Sequence, residues 1–200
     1  MVRYLDPEDH PELERTRKAR SSVGERLARL KEKNAALRGT EAIEAAREVA
    51  LRQLDSRSRS TGELRSAIVA KGFSTETADE VIDRLQQVGL VDDATFARML
   101  VHDRFELGGK TGRALVEELR RKGLSRADIE QALALINPDD EANKAFDLAL
   151  RKRRSMGSVS RQVAYRRLVG MLSRKGYSPS IVSSTVSQVL ADYAEAEDNE

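Results

Sequence analysis

The sequence predicts an all-α protein: three tandem three-helix repeats forming an elongated, curved array, preceded by a charged N-terminal arm. Three observations carry that expectation. Charged residues make up 34% of the 200 and aromatics only 4%, which argues against an aromatic-rich β-sandwich or barrel. The tripeptides Lys71-Gly72-Phe73, Lys122-Gly123-Leu124 and Lys175-Gly176-Tyr177 recur at steps of 51 and 53 residues, each followed by a serine, Ser74, Ser125 or Ser178. Apolar residues keep helical offsets on both sides of each tripeptide.

Residues 1–41 lie outside the repeat and form the charged arm, with Val23, Leu27, Leu30 and Leu37 at near-heptad spacing. A marginal helix and a disordered arm both fit that pattern. Repeat 1, residues 42–91, opens with a helix marked by Ala46, Ala50 and Leu54. Ser60 and Glu63 then have the spacing of a capping box for a second helix, whose stripe is Leu64 and Ile68. Gly72 is placed to take a left-handed C-terminal cap, with Lys71 favourable against the helix dipole. Ser74 begins a third helix through Ala78, Ile82 and Leu85.

Gly89-Leu90-Val91-Asp92-Asp93 separates this unit from repeat 2, residues 92–138. Its helices follow Phe96, Ala97, Leu100 and Val101, then Leu115 and Leu119, then Ile129, Leu133 and Ile136, with Ser125 and Asp128 as a capping pair. Repeat 3, residues 139–192, repeats the plan with Ala145, Phe146, Ala149 and Leu150, then Leu168 and Leu172, then Val182, Val186 and Val189. Pro179 after Ser178 suits a first helical position. Both Tyr165 and Tyr177 fall at core offsets, and residues 193–200 are an acidic tail. A unit of this length is short for an independent core, so neighbours should bury part of one another.

Chemistry is sparse. No cysteine means no disulfide, thiolate metal site or cysteine nucleophile, and a reducing cytoplasmic setting fits. No stretch has the length and apolarity of a membrane span or a signal peptide. His10 and His102 are the only histidines, too few for a triad or zinc site within the repeats. Gly108-Gly109-Lys110-Thr111 imitates the end of a phosphate-binding loop, but Arg104 stands where the first glycine is needed and a helical pattern precedes it in place of a strand. The expectation is a monomer with no enzymatic activity, no cofactor and no metal.

What remains is recognition by charge. From Leu148 to Ala191 there are nine basic residues, Arg151, Lys152, Arg153, Arg154, Arg161, Arg166, Arg167, Arg174 and Lys175, and not one acidic. Repeat 2 adds Lys110, Arg113, Arg120, Arg121 and Lys122, partly offset by Glu117 and Glu118. Such a face fits a polyanion or an acidic protein surface, and a basic face balanced by the acidic tail is the plainer alternative. Four consecutive cations, Arg151 to Arg154, are expected at the surface because burying them unpaired is costly.

The repeated Leu-x-x-x-(Leu/Ile)-x-x-Lys-Gly-(apolar)-Ser unit, with Gly89-Leu90-Val91-Asp92-Asp93 leading into Phe96-Ala97, resembles the RecX family of bacterial recombinase regulators. So does the run from Ala50-Leu51-Arg52 to Leu64-Arg65, and the likeness spans residues 44–192, most specifically Leu90 to Leu124. It implies a non-enzymatic protein of DNA repair, recombination and the SOS response. Such a protein binds RecA recombinase filaments on single-stranded DNA, lodging in or capping them and lowering ATPase and strand exchange. By position, the cations of repeats 2 and 3 become the filament contacts, with direct contact to single-stranded or duplex DNA left open. A DNA-binding architectural protein and a helical protein-binding scaffold are the alternatives.

Overall fold

The structure is a computed structural model that describes residues 11–197, with side chains over 23–191. Ten helices and no strand occur among the described residues: α1 Pro11–Ala36, α2 Gly39–Ser56, α3 Thr61–Ala70, α4 Thr75–Gln87, α5 Asp93–Glu106, α6 Gly112–Arg121, α7 Arg126–Leu133, α8 Pro138–Arg154, α9 Arg161–Lys175 and α10 Pro179–Glu197. The arm therefore supplies a helix, with Val23, Leu27 and Leu30 exposed and Leu37 packed on the first core. The helix α10 runs on to Glu197, into the stretch read as an acidic tail. His10 and the tail's acidic side chains lie outside the described residues.

Local chemistry sets the helix starts. Ser74, Ser125 and Ser160 accept from the amides of Thr77, Asp128 and Val163, and Ser178 from that of Ile181. Asp92 takes the amide of Thr95 and Asn137 that of Asp139, just ahead of helical Pro138. These bonds satisfy donors that a helix N-terminus leaves without partners. Asp92 and Asp93 are thus a cap and a brace, since Asp93 accepts from both the amide (2.9 Å) and the hydroxyl (2.6 Å) of Thr61.

The chain divides into two compact units, one running to Arg59 and resuming over Glu63–Val91, the other taking Ser60–Gly62 and the chain from Asp92 on. In the first, Ala46, Ala50, Leu64, Ile68, Phe73, Ala78, Ile82 and Leu85 form the core. In the second, one cluster gathers Phe96, Val101, Leu115, Leu119, Leu124 and Ile129, and another gathers Ala145, Ala149, Leu168, Leu172, Tyr177, Val182, Val186 and Val189. The repeat leucines and isoleucine, Leu64, Ile68, Leu115, Leu119, Leu168 and Leu172, are all wholly buried.

Each Lys-Gly corner has a second duty. Gly72, Gly123 and Gly176 have φ of 98°, 77° and 99°, as a left-handed cap requires. Each is also pressed by another backbone. A Cβ on Gly72 would stand 2.5 Å from the Lys31 carbonyl oxygen of α1, one on Gly123 2.8 Å from Gly62 Cα, and one on Gly176 2.7 Å from the Ala114 amide nitrogen and closer still to the Thr111 carbonyl. The preceding lysine's carbonyl accepts a bond from the same visitor: Lys71 from the Asn34 amide side chain (2.9 Å), Lys122 from the Ser60 hydroxyl, and Lys175 from the Thr111 backbone amide (2.9 Å). α1 therefore covers the first corner as Ser60–Gly62 covers the second and Thr111–Gly112 the third.

A matched pair of substitutions separates the two duties. Gly157 has φ of 59° but open space where a Cβ would go. Gly157→Ala should cost about 1 kcal/mol, the left-handed penalty alone. Gly176→Ala must also shift backbone and should cost at least about 2 kcal/mol more, read as the difference in denaturant midpoints at equal m-value.

Candidate partner-binding site

The glycine loop after α5 is a structural joint. Lys110 and Arg104 both bind Glu118, at 2.8 and 2.7 Å. The Thr111 hydroxyl donates to Glu141 (2.8 Å), and the Lys175 ammonium donates to the Gly108 carbonyl. With a helix ahead of it, and the amide and hydroxyl of Thr111 committed to protein acceptors, the loop lacks the strand and the open donors of a phosphate cradle. Burial lowers the Lys175 pKa, and the nearby charges of Lys110 and Arg151 lower it further. Burial alone would raise that of Glu118, but the hydrogen bonds and charges of Lys110 and Arg104 outweigh it and hold the carboxyl below its ordinary value.

The expected cations thus divide. Lys110, Lys122 and Lys175 are half-buried at the joints, whereas Arg113, Arg120, Arg121, Arg151, Lys152, Arg154, Arg161, Arg166, Arg167 and Arg174 are exposed. Arg153 corrects the expectation that all four cations ending α8 lie at the surface. It is 6% exposed, and its guanidinium donates to the Gly157 carbonyl (3.2 Å) in the turn that follows the helix. A guanidinium with a hydrogen-bonded partner and a long apolar stem can be buried where an unpaired charge cannot.

Four of the exposed cations converge. Lys152 of α8 and Arg166, Arg167 and Arg174 of α9 line one open groove of 980 Å³ with Val163, Gly170 and Met171. Gly170 sits inside α9, where glycine costs about 1 kcal/mol relative to alanine. A Cβ there would stand 3.1 Å from Arg174 Nη1, so the missing side chain leaves the guanidinium its place beside the helix. Neither Glu117 nor Glu118 lines this groove, and α9 itself carries no carboxylate.

Tyr165 corrects a second expectation. Tyr177 is buried as its offset implies, but Tyr165 is 47% exposed. A period that assigns a position to a core holds only where another element covers it, and α9 begins a full turn earlier than the matching α3 and α6. His102 is exposed, and no cluster of three His, Asp or Glu among the described residues is arranged to hold a metal. No described helix is long and apolar enough to cross a membrane.

These features define a helical-repeat protein whose most distinctive surface is a cationic groove. Residues 46–85, 92–133 and 139–186 match, in order, the first, second and third three-helix domains of RecX. The regulatory protein RecX of Amycolatopsis mediterranei is 36% identical over 153 residues, covering 76% of this chain and 87% of that one. That of Streptomyces coelicolor is 38% identical over 158 residues (79% and 83%), and that of Mycolicibacterium smegmatis 40% over 156 (76% and 83%). The crystal structure of RecX from Lactobacillus salivarius shares the fold, with a TM-score of 0.63 at 22% identity over 74% of this chain and 96% of that one. The chain belongs to the RecX family, and these relatives are named for regulation and not for a reaction.

Two measurements check the division of the cations. Arg153→Glu should destabilise the fold by about 3 kcal/mol or more, because it buries a carboxylate facing a carbonyl, while Arg154→Glu leaves melting nearly unchanged. Glu118→Gln should cost about 1 kcal/mol at pH 7. Because Glu118 has a folded pKa below its unfolded one, its contribution is full above the unfolded pKa and is lost as pH falls through the folded one. The gap between wild type and variant should accordingly close between neutral and strongly acidic pH.

Proposed function

We propose that this chain binds RecA recombinase filaments on single-stranded DNA and lowers their ATPase and strand-exchange activities, using the third domain's cationic groove as its contact. Membership of a family of regulatory proteins supports the regulatory part. The observation that carries the contact is the convergence of Lys152, Arg166, Arg167 and Arg174 on one groove in a stretch of chain without carboxylates. Cations held on rigid helices, with no carboxylate among the described residues that line the groove, draw an anionic partner and orient it. Arginine's fork suits phosphate and carboxylate alike, so the groove fits the DNA of the filament or acidic side chains along it.

The test is the ATPase rate of recombinase on single-stranded DNA titrated with the full chain. Arg166→Glu combined with Arg174→Glu should raise the concentration needed for half-inhibition about tenfold or more, with melting unchanged, since both side chains are exposed. Equal inhibition by the variant over a salt series would refute this face. Where phosphates are the target, each lost contact should flatten the slope of log affinity against log salt by about 0.7.

A further inference from the structure

Tyr165 is the one tyrosine, tryptophan or phenylalanine among the large hydrophobic residues that the described surface leaves exposed. It stands in the carboxylate-free stretch, on α9, beside Arg166. The side chain lines two cavities at once. One, of 710 Å³, is walled by Tyr165, Val169, Tyr177 and Val182, with Arg113 among its lining residues. The other, of 440 Å³, is lined by Tyr165, Leu190, Gln162 and Arg161. Neither the Arg113 nor the Arg161 guanidinium has an ion-pair or hydrogen-bond partner among the described side chains and carbonyls, and both side chains are exposed. An exposed aromatic face, apolar walls and an arginine in each opening have the composition of a site for an unpaired base within a charged strand.

We propose that Tyr165 stacks an unpaired base of single-stranded nucleic acid, with Arg113 and Arg161 each holding a neighbouring phosphate. Charge decides against an apolar anchor from a protein as the occupant. Both arginines attract an anion, every strand segment supplies one phosphate per base, and a paired base in a duplex has no face free to stack. Glu141 lines the larger cavity, where its carboxylate offers an acceptor to base amino groups. The inference rests on the proposed reading that the third domain's cations meet the partner. It adds that the free protein touches the strand itself.

The chain has no tryptophan, so Tyr165→Trp makes a full-length reporter whose emission comes from that position alone. A single-stranded oligonucleotide of about 20 nucleotides should quench it. The same sequence as a duplex should quench far less, a free mononucleotide only at much higher concentration, and heparin, a polyanion without bases, not at all. Tyr165→Ala should weaken single-strand affinity about tenfold while leaving the salt slope unchanged, because no phosphate contact is lost, and Tyr165→Phe should restore the affinity. Unchanged affinity in Tyr165→Ala, or bound single strand without quenching, overturns the proposal. So does loss of recombinase inhibition in Tyr165→Ala at undiminished strand affinity, which assigns the ring to a protein contact. Absence of any strand binding by the free wild-type chain also overturns it, yet leaves the filament reading standing, since that reading is tested with recombinase present.

Discussion

The rest of the structure depends on the close approach of two backbones at each Lys-Gly corner. A left-handed glycine ends one helix and starts the next, but that alone would produce only a hairpin of helices. Because the same glycine carries no Cβ, a second segment of chain lies against it, and the lysine carbonyl just before it accepts that segment's hydrogen bond. The donors differ completely among the three visitors: an asparagine side-chain amide, a serine hydroxyl and a threonine backbone amide. What is kept is the geometry of a donor meeting a carbonyl beside a bare α-carbon. An unpaired buried carbonyl costs about as much as the bond gains, so the contact is specified from both sides.

That constraint sorts the cations. Lysine precedes each corner glycine, and the half-buried Lys122 and Lys175 belong to the joint more than to any partner. Lys110 is drawn into the same joint by Glu118, which also holds Arg104. Three exposed arginines of α9, Arg166, Arg167 and Arg174, instead line one groove of the third domain with Lys152. Net charge near zero conceals this division, because the acidic residues gather in other stretches of the chain and leave 148–191 without a carboxylate of its own.

Most of the fold was legible because its signals are local and repeated. Periodic leucines, glycine after lysine and serine after the corner each name a helix face, stop or start, and three copies remove the ambiguity of one. The second backbone at each corner was not legible, since Asn34, Ser60 and Thr111 share no residue type and lie at different distances from the glycines they meet. Arg153 was misplaced for a related reason: its acceptor, the carbonyl of Gly157, is a backbone group that no sequence pattern displays. The ion-pair hub at Glu118 showed only as a partial offset of charge, because its two partners come from a helix and a loop on the far side of a glycine turn.

Tyr165 marks where the third repeat departs from a rule that the first two share. Two residues before Leu64 stands Gly62, and three before Leu115 stands Gly112, and both glycines meet the backbone of a following corner. Ahead of Leu168 the same two places hold Arg166 and Tyr165, and α9 extends to Arg161 without the Thr-Gly step that opens α3 and α6. Side chains of that size prevent another backbone from approaching within van der Waals distance of the helix, so a fourth corner has no seat there. Glycine stands where repeat 1 meets repeat 2 and where repeat 2 meets repeat 3, and the third repeat has none at these two places. At these two places the third repeat presents an exposed aromatic ring and an exposed guanidinium, groups able to stack on or fork onto a partner of different chemistry.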